Sequence, residues 1–143
     1  MILSGVDVRQ YIKHGGLDFS PGLTGDQFQQ NGIDLVLDSV GVNSGCHGLF
    51  ALGCTRETIT MPNDLMAFVQ LRSTWARRGF LLPPTVIDAG FSGQITLEIV
   101  SYIEPHIIPV GERFVHLIFA KLTSPAEPYR GKYQGQIGIT EAK

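Results

Sequence analysis

Glu98 stands in the run QITLEIV (94–100), where Ile95, Leu97 and Ile99 point one way and Gln94, Thr96 and Glu98 the other. It is the only charged residue in that run. Such a carboxylate either faces water on the polar side of a half-exposed strand or, in a partly desolvated pocket, accepts and passes on a proton. Three other segments hold polar residues that a plain β domain does not need. LRSTWARRG (71–79) gathers Arg72, Ser73, Thr74 and Arg77 at a strand end. Guanidiniums, hydroxyls and free backbone N–H groups at a helical turn suit phosphate, although a solvated turn has the same composition. VIDAGFSG (86–93) sets Asp88 after two β-branched residues and before a glycine turn, a place where Asp also commonly caps. YRGKYQGQ (129–136) mixes Tyr, Arg, Lys and Gln among glycines. It reads as a flap over an anionic aromatic ligand or as a polar tail.

Zinc can be set aside on spacing. Cys46-His47 has no following Glu, and Cys54 has no cysteine two residues away. The four histidines, His14, His47, His106 and His116, show no metal spacing. There is no P-loop, no GxGxxG and no GxSxG. The two cysteines are expected to be free thiols.

The elements that must position these residues are mostly strands. Ser4 and Asp7 have capping-box spacing, Val8, Tyr11 and Ile12 form one apolar face, and Gly15-Gly16 stop the helix. Strands are predicted over 33–40, 57–61, 65–71, 94–102, 106–110 and 113–122, separated by Pro, Gly and Asn/Asp turns. STWARRG (73–79) reads as a single helical turn at a strand end. Short strands at this spacing mean an all-β sandwich, barrel or jelly roll. A length of 143 residues suits one domain over 1–143. The net charge of −2 lacks the basic excess of a nucleic-acid-binding surface. No apolar run approaches the roughly 18–20 residues of a membrane span, and MILSGVDVRQ does not read as a signal peptide, so a cytoplasmic location is expected.

Taken in order, MILSGVDVRQYI, NGIDLVLDSV, ALGCTRETITMPNDLMAFVQLRSTWARRG, VIDAGFSGQITLEIV and PYRGKYQGQ resemble the dCTP deaminase branch of the dUTPase-like superfamily. The fourth is most similar to its form in archaeal bifunctional deaminase–dUTPases. The resemblance implies an all-β, distorted β-barrel or jelly-roll subunit of the dUTPase-like type with a short N-terminal helix. It further implies a homotrimer whose active sites are shared between subunits, with dCTP as substrate and dUTP or dTTP as further nucleotide ligands. Glu98 falls at the catalytic glutamate of the deaminase branch, a position where plain dUTPases have none. Arg77 and Ser73 would flank it and hold the water and base. Arg72, Ser73 and Thr74 would bind phosphates of a nucleotide lying mainly on the adjacent subunit. Asp88 would meet the deoxyribose 3′-hydroxyl, and Thr96 also falls in the substrate site. Tyr129, Lys132 and Gln136 would come from a mobile closing tail over about 124–143. Mg²⁺ would be held by the triphosphate rather than by a protein cage.

The chain departs from the family's usual pattern in places. Only seven residues follow Gln136, so closure is expected to be incomplete and deamination to dUTP to outpace pyrophosphate release. The stretch between Val40 and Ala51 is short, the loop LLPPTVID before Asp88 is shorter than usual and has Pro83-Pro84 near the pyrimidine, and His116 stands where Gln is usual. Two other readings stay open: a deaminase that also cleaves the triphosphate, or a dUTPase alone; and a nucleotide-binding regulator on the same scaffold.

Overall fold

The computed structural model describes residues 1–44, 49–104 and 107–143, with backbone alone for 42–44 and 49. Cys46, His47 and His106 lie outside the described residues. The first element is α1 (Gly5–His14), started where the sequence predicts. Ser4 N donates to the Asp7 carboxylate at 2.9 Å, and Asp7 N donates back to Ser4 Oγ at 3.2 Å. Ser4 Oγ also donates to the Asp7 carboxylate at 2.8 Å, and this bond foremost, with that from Ser4 N, holds the Asp7 carboxyl below the usual carboxylate range. The benefit of the cap is therefore present at neutral pH and is lost as pH falls through the acid range.

Strands follow: β1 (Asp18–Ser20), β2 (Phe28–Gln29), β3 (Gly32–Ser44), β4 (Leu49–Thr60), β5 (Leu65–Leu71), β6 (Phe80–Leu81), β7 (Thr85–Ile87), β8 (Ser92–Ser101) and β9 (Arg113–Lys121). A one-turn helix, α2 (Ser73–Ala76), follows β5. All pairings are antiparallel, in the order β6-β8-β4-β3-β9-β5-β7, with β1 on β4 and β2 on β3. The sheet curls into a half-barrel, as the all-β expectation requires. No helix among the described residues is long and apolar enough to cross a membrane.

β3 is the corner. Its first half pairs with β9 and its second half with β4, so one strand serves both sides of the curl. Registers slip there: between Leu35 and Val36 against β9, between Leu37 and Ser39 against β4, and between Cys54 and Thr58 where β4 meets β8. Bulges bend strands but leave backbone groups without ladder partners. Side chains fill those places. Glu57 is fully buried and accepts Val36 N at 3.0 Å. Its other oxygen accepts Gln27 Nε2 at 2.8 Å and Arg56 Nη2 at 3.0 Å. Thr55 Oγ1 accepts Ile95 N at 3.0 Å and donates to Glu57 O at 2.9 Å. The core, including Leu35, Leu37, Ile59, Leu97, Ile99 and Phe114, closes around this polar hinge.

Two strand expectations are corrected. HIIPV (106–110) forms no strand among its described residues. Val110 N turns back to Ile108 O at 2.9 Å, and Pro109 has no N–H for a ladder. β4 begins at Leu49 rather than Glu57, because its glycines and bulge interrupt the alternation that marks a strand.

Glu57→Gln is expected to lower stability by about 1–3 kcal/mol, because an amide NH₂ then confronts one of the buried donors that the carboxylate satisfies. Urea unfolding followed by fluorescence reads the loss; an unchanged midpoint would show that the corner does not depend on this carboxylate.

Candidate active site

β8 alternates strictly: Gly93, Ile95, Leu97, Ile99 and Ser101 are buried, and the residues between them are half-buried. Two of the second set, Thr96 and Glu98, border a cavity of about 500 Å³, within the range of small-molecule sites. Glu98 and Thr96 line it together with Asp88, Tyr129 and Gln136. Most of the remaining wall is apolar, including Phe50, Leu52, Val86, Phe91 and Ile95. Leu52 sits directly across from Glu98 on β4. The Glu98 carboxylate has no hydrogen-bond or ion-pair partner among the described residues. A half-buried carboxylate bordered by apolar side chains and free of partners can accept a proton from a bound water.

Asp88 is exposed, follows β7 and opens the turn closed by Phe91 N to Asp88 O at 3.2 Å. Gly90 in that turn has φ +76°, and a Cβ there would meet Pro128 Cα at 2.7 Å. Glycine is thus required both by the backbone and by the segment lying against it. That segment, read from composition as a loop or mobile tail, runs beside β8. Tyr129 N donates to Ala89 O at 2.9 Å, and its ring meets Phe91 edge-on at 5.7 Å. Gln136 Nε2 is committed to Gln94 O at 2.6 Å, and Thr96 Oγ1 accepts Thr140 N at 3.1 Å. Lys132 lies outside the cavity wall, with Nζ 5.2 Å from the Tyr133 ring centre and donating to Lys143 O.

The α2 turn does not line this cavity. Ser73, Thr74 and Arg77 are exposed there, and their side chains take no partner among the described residues. Arg72 differs. Its Nε lies 2.8 Å from Asp34 Oδ2, and its Nη1 donates to Arg113 O at 3.1 Å, leaving Nη2 without a partner among the described residues. Asp34 is buried on β3 and also meets His116 Nδ1 at 2.9 Å and Arg113 Nη1 at 3.5 Å. Neither guanidinium aims an N–H squarely at Oδ2, so charge rather than a directed hydrogen bond holds that oxygen. Trp75 fixes the turn from below, donating Nε1 to Arg113 O at 2.7 Å and packing on Phe80 and Phe114. Sequence reading missed Asp34 and Arg113. Asp34 and Asp38 look alike along β3, and only the folded chain shows that the first is covered.

The profile of the dCTP deaminase-like family matches residues 46–122. A probable deoxyuridine 5′-triphosphate nucleotidohydrolase of Sulfolobus islandicus rod-shaped virus 1 is 42% identical over 160 residues, covering 100% of this chain and 99% of the viral protein. A dCTP deaminase of Sulfurisphaera tokodaii is 40% identical over 170 residues, covering 100% of this chain and 92% of its own length. The chain belongs to the dCTP deaminase-like family. Two solved structures agree in fold. The 2′-deoxycytidine 5′-triphosphate deaminase of Agrobacterium tumefaciens superposes with TM-score 0.70 at 19% identity, over 85% of this chain and 48% of that longer one. The dUTPase of Staphylococcus bacteriophage 80alpha superposes with TM-score 0.56 at 15% identity, over 83% of this chain and 98% of that one. Within the dCTP deaminase-like match fall α2, the Asp88 turn and β8; residues 124–143 lie beyond it.

Asp34→Asn leaves two guanidiniums around a neutral amide. The expected result is a loss of about 3 kcal/mol of stability, together with weaker binding of a nucleoside triphosphate. Calorimetric melting and equilibrium titration read the two effects; an unchanged melting temperature would remove Asp34 as the anchor of the α2 turn.

Proposed function

We propose that this chain deaminates dCTP at cytosine C4, giving dUTP and ammonia, within a homotrimer that shares its active sites. The observation that carries the reading is the Glu98 carboxylate, without a partner among the described residues, in the wall of a largely apolar cavity. Glu98 takes a proton from water as its oxygen bonds to C4 and passes that proton to N3. The carboxylate then takes the remaining proton of the C4 hydroxyl and gives it to the departing amine, the C4–N4 bond breaks, and a C4 carbonyl remains. Thr96 and Gln136 border the base, and Asp88 at the rim meets the sugar hydroxyl. Tyr129 closes the side formed by the segment beside β8.

Ser73 and Arg77 belong to this chemistry only if a second copy delivers them, because in one chain they stand on α2 outside the cavity. Their exposure and lack of partners support that arrangement, as do the exposed apolar neighbours Phe68 and Val86 on β5 and β7. In the completed site Arg77 and Ser73 hold the water and base, while Ser73 and Thr74 meet phosphate beside the free edge of Arg72. Lys132 adds charge from the closing segment. Among the described residues no group of three or more His, Cys, Asp or Glu converges to hold a metal. Mg²⁺ would therefore enter on the triphosphate oxygens, where it neutralises charge.

A second reading has its own observation. Asp88 is exposed at the cavity rim with no side-chain partner among the described residues, a placement that also suits orienting water toward an α-phosphate. The 42% identical viral relative bears a nucleotidohydrolase name. Incubation with dCTP and with dUTP, with ammonia and pyrophosphate measured separately, decides between the readings. Ammonia with dUTP accumulating supports deamination alone; pyrophosphate released as fast as ammonia establishes both activities; pyrophosphate from dUTP without ammonia from dCTP rejects deamination.

Glu98→Gln is expected to keep the fold and oligomer mass while cutting ammonia release by about 10²–10⁴-fold. Retention of more than about a tenth of the rate would remove Glu98 as the base. Arg77→Ala is expected to lower kcat more than it raises KM. A change confined to KM would move Arg77 from the base to a binding role.

A further inference from the structure

The half-buried face of β8 reads Ser92, Gln94, Thr96, Glu98, and residues 134–142 follow it in order. Ser92 N donates to Gln134 Oε1 at 2.8 Å, and Gly135 N donates to Ser92 O at 2.7 Å. Gln94 N donates to Gln136 O at 3.0 Å, and Gln136 Nε2 returns a bond to Gln94 O at 2.6 Å. Gly138 N donates to Gln94 Oε1 at 2.5 Å, and Thr140 N to Thr96 Oγ1 at 3.1 Å. The register places Thr140 and Ala142 in the wall of the Glu98 cavity. Gly93 permits the close approach, since a Cβ there would lie 3.0 Å from Gln136 O.

Gln94 is the hub of this contact, because its main chain and side chain both hold the segment. The amide is also oriented from behind. Nε2 donates to Thr55 O at 2.9 Å, inside the β4 bulge, which leaves Oε1 to receive Gly138 N. A side chain fixed at one end to the rigid corner and offering its other end to a loop works as a latch.

We propose that Gln94 is a positioning residue that latches residues 136–142 onto β8 and so builds one wall of the cavity from the chain's own sequence. The role in catalysis rests on the deaminase reading; the latch does not. Hydrogen–deuterium exchange of the full chain without ligand tests the latch, and steady-state kinetics with dCTP test its consequence. Gln94→Leu is expected to speed exchange within 136–143 by about tenfold while peptides of β3 and β9 keep their protection. Thr96→Val is expected to do so more weakly, near residue 140. KM for dCTP is expected to rise in Gln94→Leu by more than kcat falls, and Gln94→Asn, with its shorter reach, to rescue little. Unchanged exchange at 136–143 overturns the latch. Were Gln94→Leu to lose protection in β9 as well, Thr96→Val alone would decide. Faster exchange with unaltered KM and kcat overturns the positioning role. Faster exchange in a protein that never releases ammonia from dCTP upholds the latch and refutes the deaminase reading.

Discussion

One buried carboxylate, Glu57, lets two halves of a sheet share a strand. A strand that turns from one partner to another must break register, and each break strands backbone donors away from water. Glu57 takes up one, the main-chain N–H of Val36 on β3, and is itself held by the amide of Gln27 and the guanidinium of Arg56. From the β4 bulge it reaches Val36, where β3 passes from β9 to β4, the strand that pairs with β8 and so with Glu98. The same bulge supplies Thr55, whose carbonyl orients Gln94. Corner, cavity wall and closing segment are thus built on one polar centre.

Three carboxylates out of easy reach of water show how partners distinguish roles. Glu57 has a donor for each oxygen and is structural. Asp34 meets two guanidiniums, more positive charge than it can neutralise, besides an imidazole, and so fixes a turn while leaving an Arg72 edge for an anion. Glu98 has neither donors nor cations among the described residues. Burial sets the half-buried Glu98 apart but does not distinguish Glu57 from Asp34. The inventory of partners separates scaffold, anchor and chemistry, because a carboxylate with all its lone pairs taken is poorly placed to accept another proton.

The legible parts of the sequence were those governed by local periodicity. The capped helix and the turn at 73–76 obey nearest-neighbour rules, and β8 shows a clean two-residue alternation that isolates Glu98. The start of β4 was hidden because its bulge interrupts that alternation. HIIPV was misread because apolar β-branched residues precede a proline that cannot pair. Asp34, Arg113 and the Gln94 contacts were invisible for another reason. Their meaning lies in partners outside their own strands, as far off as Arg72 for Asp34, Trp75 for Arg113 and Thr55 for Gln94, and no spacing within one strand records that. The contacts of the closing segment are made where Gly90 and Gly93, in the turn before β8 and in β8 itself, let two backbones come together, and nothing in the segment's own composition records them.

β8 also restricts how the chain can change in length. Its faces have opposite duties, one packing the core and the other alternately gripping residues 134–140 and presenting a carboxylate to the cavity. A single residue gained or lost between Gly93 and Glu98 would turn the strand inside out beyond that point, putting Glu98 into the core and Leu97 into the cavity. Insertions and deletions therefore have nowhere to go in this strand except in pairs or at its ends. Variation in size must be absorbed by the connections on either side, such as the Pro83-Pro84 loop, while the distance along the strand from Gln94 to Glu98 stays fixed.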